Sequence, residues 1–155
     1  MTTTAAKDRS PDLAKADYER LAEFRYLLRR FLTFSEGAAE QAGLTAQQHQ
    51  ALLAIKGFPG RDEVTVGELA ERLGIRSHSA VGLVDRLAAK SLVRRHSDAA
   101  DRRQVRLGLT AGAEALLTQL TAAHQDEFRR LAPLLHTLLA QIQPAPAAEP
   151  STDNK

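Results

Sequence analysis

Ser77, His78, Ser79, Gly82 and Arg86 crowd into one short stretch, and the adjacent pair Arg102-Arg103 follows soon after. Hydroxyls and an imidazole suit base edges and phosphate oxygens, and a guanidinium fork suits guanine or a phosphate. Arg76 adds a cation at the head of the stretch. On a helical period these residues share an outward side, while Val81, Val84, Leu87 and Ala88 make the side that faces a core. The pattern predicts a helix from about His78 to Lys90, with Ser77 as its N-cap. Its first backbone N–H groups would meet a phosphate, and Gly82 would let the backbone approach closely.

Such a helix has to be held at an angle by a second one. Thr65-Val66-Gly67-Glu68 is a capping box that opens a short helix, Val66 to Leu73, with Leu69, Ala70 and Leu73 inward. Gly74 fits a left-handed stop, and Gly74-Ile75-Arg76 is a three-residue turn containing glycine. Two helices joined in this way form a helix-turn-helix. The period then changes. Leu92 to His96 reads as a strand, and Val105, Leu107 and Leu109 alternate with Arg106 and Gly108 as a half-buried one. The polar loop between them makes a hairpin tipped by Asp98 to Arg103, from which Arg102 and Arg103 could reach a neighbouring minor groove. Asp101 is expected to orient an arginine by a short-range ion pair, and Asp85 to form an ordinary ion pair with the adjacent Arg86 that holds the hairpin.

The flanks supply a body. Asp12 to Ala42 reads as one long helix between Pro11 and Gly43, with a stripe of Leu13, Leu21, Phe24, Leu28, Phe31 and Leu32 or Phe34. Thr45 is expected to cap a second helix running to Lys56, with Leu52, Leu53 and Ile55 as its apolar face. After the hairpin, Thr110 caps a helix from Ala111 to Leu131, Pro133 marks a kink or restart, and a last helix runs to about Gln143. The expected order is therefore four helices, two strands and two helices. Residues 1–11 and the proline-rich 144–155 are expected to be flexible.

Composition narrows the function. The 155 residues fit one domain, and the absence of cysteine excludes disulfides, thiol catalysis, thiol redox sensing and thiolate metal sites. The histidines at 49, 78, 96, 124 and 136 show no metal-ligand spacing. No phosphate-binding glycine loop, convincing carboxylate pair or nucleophile motif is present, so neither an enzyme nor a cofactor is expected. No secretory signal or membrane-spanning run is seen, which leaves a soluble cytoplasmic protein as the default. Net charge is only +2, but from Arg72 to Thr110 nine Lys/Arg face three Asp/Glu, leaving the rest near −4. One electropositive block on a mildly acidic chain is the footprint of a nucleic-acid partner, although a solvated basic face would look the same.

Leu69-Ala70-Glu71-Arg72-Leu73-Gly74-Ile75, then Val84-Asp85-Arg86-Leu87, Asp98 through Arg103 and Leu109-Thr110-Ala111-Gly112 together resemble the MarR family of winged-helix regulators. The resemblance covers roughly residues 12–143. It implies a mostly α (α+β) winged helix with a two-stranded wing, a DNA-binding part at about 45–110, and dimerisation helices at about 12–42 and 111–143. It further implies a homodimer on a pseudo-palindromic duplex operator, one winged helix per half-site, with the recognition helix at about Ser77 to Lys90 and Arg102 and Arg103 on the wing. Many members of the family respond to small phenolic or lipophilic anions. A pocket near the first, second and fifth helices would draw on Phe24, Arg25, Arg29, His49 or Phe58. Repression relieved by such a ligand is the expected mode. The rival reading is a winged helix that only docks proteins, which leaves the collected arginines without a purpose.

Overall fold

The computed structural model describes residues 13–142. The elements are α1 (Lys15–Gln41), α2 (Ala46–Lys56), β1 (Glu63–Thr65), α3 (Val66–Leu73), α4 (Ser77–Ala89), β2 (Val93–Ser97), β3 (Val105–Leu109) and α5 (Ala111–Ile142). The expectations for residues 1–11 and 144–155 fall outside the described part.

Local chemistry sets most boundaries. The Thr45 hydroxyl accepts the Gln48 N–H at 3.1 Å while the Gln48 side chain takes the Thr45 N–H at 3.1 Å, so α2 opens on a complete capping box. Thr65 and Glu68 repeat the device at α3, at 3.2 and 2.8 Å. Thr110 accepts the Ala113 N–H at 3.2 Å to start α5. At the end of α3, Gly74 sits at φ +63°, where a side chain would clash with its own backbone. The N–H of Ile75 then returns to the Ala70 carbonyl at 3.0 Å and closes the helix.

Three expectations need correcting. The sheet has three antiparallel strands in the order β1-β3-β2, not two, because Glu63–Thr65 pairs along the free edge of β3 with Val64 opposite Leu107. The last helix is single: α5 runs through Pro133, so the order is α-α-β-α-α-β-β-α. Leu131 and Leu138 are buried on either side of that proline in one cluster with Leu27 of α1, and their packing holds both halves on one axis. The apolar faces also differ: Leu53, Val81 and Val105 are exposed, and Ala80 and Leu83 take the inward places on α4.

Two clusters organise the packing. The larger joins Leu52 and Ile55 of α2, Val64 of β1, Leu69 of α3, Leu83, Val84 and Leu87 of α4, Leu107 and Leu109 of β3 and Leu117 of α5. The smaller lies between α1 and α5, where Phe24, Phe31 and Leu135 surround Leu27, Leu131 and Leu138. Lys90 lies just past α4, and its ammonium donates to the Gly43 carbonyl at 2.9 Å and to the Gln48 side chain at 3.1 Å. The far end of α4 is thereby tied to the α1–α2 corner.

Candidate nucleic-acid interface

Ala80, Leu83, Val84 and Leu87 fasten α4 to the core, which leaves Ser77, His78, Ser79, Val81, Asp85 and Arg86 exposed on its outer side. The N-cap is Arg76 rather than Ser77, and no side chain caps the helix. The turn closes one residue earlier than a serine cap requires, because Ile75 must pack against the core and bond back to Ala70. Ser77 is therefore the first helical residue, and the two serine hydroxyls are not consumed in capping. Backbone N–H groups at this end face outward, a ready site for an anion.

Gly82 lies against the Arg86 side chain. It is half-buried, and a Cβ placed there would lie 3.5 Å from Nη1 of Arg86. The Arg86 side chain thus folds back one turn over Gly82, toward the exposed N-terminal end of the helix. Gly82 is the bed of a guanidinium.

The wing is held by its acids. Asp98 accepts the Ala100 N–H at 2.8 Å and pairs with Nε of Arg106 at 2.7 Å; these contacts, the backbone bond first, hold its carboxyl below the usual range. Asp101 makes no ion pair with an arginine among the described residues. Instead its carboxylate accepts the Arg103 N–H at 3.0 Å, fixing the loop through the backbone. Its two-residue reach suits the main chain of a tight turn, and Asp98 takes the ion pair because it stands opposite β3. Asp85 pairs with Arg95 of β2 rather than its neighbour Arg86, so it does hold the wing, across to α4. Glu63 of β1 braces the other side through His96 at 3.0 Å and Arg94 at 4.0 Å.

This pairing sorts the cations. Arg61, Arg94, Arg95 and Arg106 each have a carboxylate partner. Among the described residues Arg76, Arg86, Arg102 and Arg103 have none, and all four are exposed. Among the same residues Arg72 of α3 also lacks a carboxylate partner but lies on the Phe58 ring, and Arg25, Arg29 and Arg30 are unpaired on α1, away from the winged helix.

The five residues suggested for a small-molecule pocket do not converge. Phe24 lies in the α1–α5 cluster, and Arg25 and Arg29 are exposed on α1. Phe58 packs on the winged-helix core under the guanidinium groups of Arg61 and Arg72, at 4.5 and 5.0 Å from its ring centre. His49 is only 3% exposed and lies beside His124, with ring centres 4.9 Å apart and the ring planes tilted by 48°. Burial, then the neighbouring imidazole, holds His49 below the ordinary histidine range. His124 donates from Nδ1 to the Leu120 carbonyl at 2.6 Å and meets the Ser35 hydroxyl at 2.8 Å through Nε2. Separations in the chain as long as that between Ser35 and His124 gave no signal in the sequence. Arg29 lines a cleft of about 420 Å³ with Tyr26, Arg30, Thr33, Phe34 and Glu127, while Phe24 lines an apolar one of about 200 Å³ with Phe31 and Phe128 and another of about 310 Å³ with Asp17 and Arg20. Among the described residues no cluster of His, Asp or Glu could hold a metal ion.

A helix-turn-helix braced by a three-stranded sheet, with a hairpin beside the second helix, is a winged helix. The family model described as MarR family matches residues 42–104. An uncharacterized HTH-type transcriptional regulator, YsmB of Bacillus subtilis strain 168, is 31% identical over 67 residues, which are 43% of this chain and 46% of that protein. The match thus spans just under half of that relative. In fold, AbsC, a MarR family transcriptional regulator from Streptomyces coelicolor, superposes with a TM-score of 0.67 at 21% identity over 86% of this chain and 93% of that one. MepR of Staphylococcus aureus, a transcription regulator of the multidrug efflux pump MepA, gives 0.65 at 22% over 81% and 98%. A mutant MarR from E. coli complexed with operator DNA gives 0.59 at 22% over 86% and 100%. The winged-helix segment is thus similar in sequence to the MarR family, and most of the chain shares the fold of these regulators.

Proposed function

We propose that this chain is a cytoplasmic, sequence-specific regulator of transcription that binds duplex DNA as a homodimer. One observation carries the reading: within the described winged helix, every arginine without a carboxylate partner except Arg72, which lies on the Phe58 ring, is on α4, on the turn that leads into it or on the wing, where a duplex would lie. A module that only docks proteins gives no reason for free guanidinium groups to collect there. Ser77, His78, Ser79 and Arg86 enter the major groove, the free N–H groups of α4 meet a phosphate, and Arg102 and Arg103 reach the flanking minor groove. Asp101 sets the loop that carries them. The shared fold with a MarR crystallised on operator DNA supports the same docking.

The dimer rests on α1 and α5. Among the described residues, all but three of the large exposed hydrophobic side chains lie on these helices or at Leu13 beside them, a surface that a second copy would cover. Two recognition helices then face half-sites about one helical turn apart, roughly 34–36 Å. Repression is the mode, relieved by a small anionic ligand in the cleft that Arg29 and Arg30 line between α1 and α5; a shift there changes the spacing of the two heads. Selection of bound sequences from random duplexes, with and without aromatic acids, tests all of this. The expected product is a pseudo-palindrome released by some acids. Recovery of random sequences would refute specificity, and a protein that retains no duplex at low salt would refute DNA binding.

A further inference from the structure

Val81 does not serve the fold. It is 47% exposed on the outer side of α4, although a β-branched residue lowers helix propensity and its neighbours Ala80, Leu83 and Val84 already supply the inward face. Of the large hydrophobic side chains exposed on the described winged helix, Leu53, Val81 and Val105, it alone lies on the recognition helix. One turn before it on the same side are Ser77 and His78, one turn after it is Asp85, and Arg86 reclines beside it over Gly82. A single isopropyl group ringed by hydroxyls, an imidazole and a guanidinium is too small and too polar in its surroundings for a protein docking patch. It suits a polyanion that carries isolated methyl groups.

The major groove of DNA is such a surface, since thymine alone of the four standard bases shows a methyl there. In a helix the valine χ1 rotamer is nearly fixed, so both methyls are placed before binding and little side-chain entropy is lost. We propose that Val81 reads the C5-methyl of one thymine in each half-site. The proposal rests on the DNA-binding reading above and adds to it a specificity-determining residue and its target atom.

The test removes the methyl alone. Each thymine of a selected operator is replaced in turn by deoxyuridine, which keeps every phosphate and every hydrogen-bonding edge. Binding is measured with the wild-type protein and with Val81→Ala, an exposed change that favours the helix. Burying one methyl is worth about a fourfold change in affinity, so one thymine position per half-site should weaken wild-type binding by about that factor. In Val81→Ala the thymine and deoxyuridine operators should bind alike. The inference is overturned if no thymine matters to a protein that binds the operator well, or if the same thymine matters equally to Val81→Ala. Failure of the wild-type chain to bind any duplex would overturn the DNA-binding reading and this inference with it.

Discussion

Gly82 and Arg86 should behave as one unit, and a double-mutant cycle can show it. Alanine at 82 would place its Cβ 3.5 Å from the Arg86 guanidinium, an ordinary contact, so the arginine keeps its position. The helix gains about 0.5–1 kcal/mol from losing an interior glycine, and Gly82→Ala should be more stable to urea while binding DNA within about threefold of wild type. Leucine at 82 is a better helix former than glycine too, but its side chain occupies the bed and must push the guanidinium away. If Arg86 reads a base, its removal costs about 1–3 kcal/mol at that base pair, roughly 5- to 150-fold in affinity. Gly82→Leu should lose most of that amount, and in an Arg86→Ala background it should lose nothing further. Fluorescence anisotropy on one operator, with all four proteins at one salt concentration, gives the cycle. Equal losses from Gly82→Leu in both backgrounds would refute the reasoning and would restore the simpler role expected from sequence, a glycine that lets the backbone approach the duplex.

Three further outcomes follow from particular contacts. His49 is held below its ordinary value of 6.5, so the unfolded chain takes up the proton first; the stabilising effect is complete above that value and declines as pH falls below it. His49→Phe should therefore flatten the fall in melting temperature between pH 7.5 and 5, and an unchanged slope would contradict the assignment. Ser91 ends α4 at φ +56°, a left-handed position, so Ser91→Gly should stabilise the fold by about 0.5–1 kcal/mol in urea unfolding, and a loss of stability would show that the serine makes a contact worth more than its strain. Arg103→Ala should weaken binding chiefly to operators with A·T-rich flanks; an equal loss on G·C-rich flanks would exclude reading of a narrow minor groove.

What could be read from sequence was local. The capping box at Thr65 and Glu68, the left-handed Gly74 and the alternation through Leu107 and Leu109 each declare themselves within a few residues, and they fixed the helix-turn-helix and the wing. Glu63–Thr65 is too short to show an alternation and becomes a strand only because β3 offers it an open edge. Pro133 signals a break by its missing N–H, but the leucines on both sides of it pack on α1 and the helix continues. Ala80 and Val81 are adjacent and both apolar, so the pattern allowed either to face inward; the core took the smaller one, and that one-residue rotation moved Val81 to the outside. At the site, residue types pointed to the free arginines, while the partners that leave them free (Asp98 for Arg106, Asp85 for Arg95, Glu63 for Arg94) come together only in three dimensions.

The salt dependence of duplex binding tests the central claim most directly. With four unpaired arginines on α4, its leading turn and the wing of each protomer (Arg76, Arg86, Arg102 and Arg103), a dimer that sets all of them on phosphates would show a log–log slope of about −7, and about −4 if some read bases instead. Arg103→Ala should then make the slope shallower by about 2 for the dimer on an operator with A·T-rich flanks. A slope near zero, or one that Arg103→Ala and Arg102→Ala leave unchanged, would contradict the account, because the free guanidinium groups would then not be what holds the duplex.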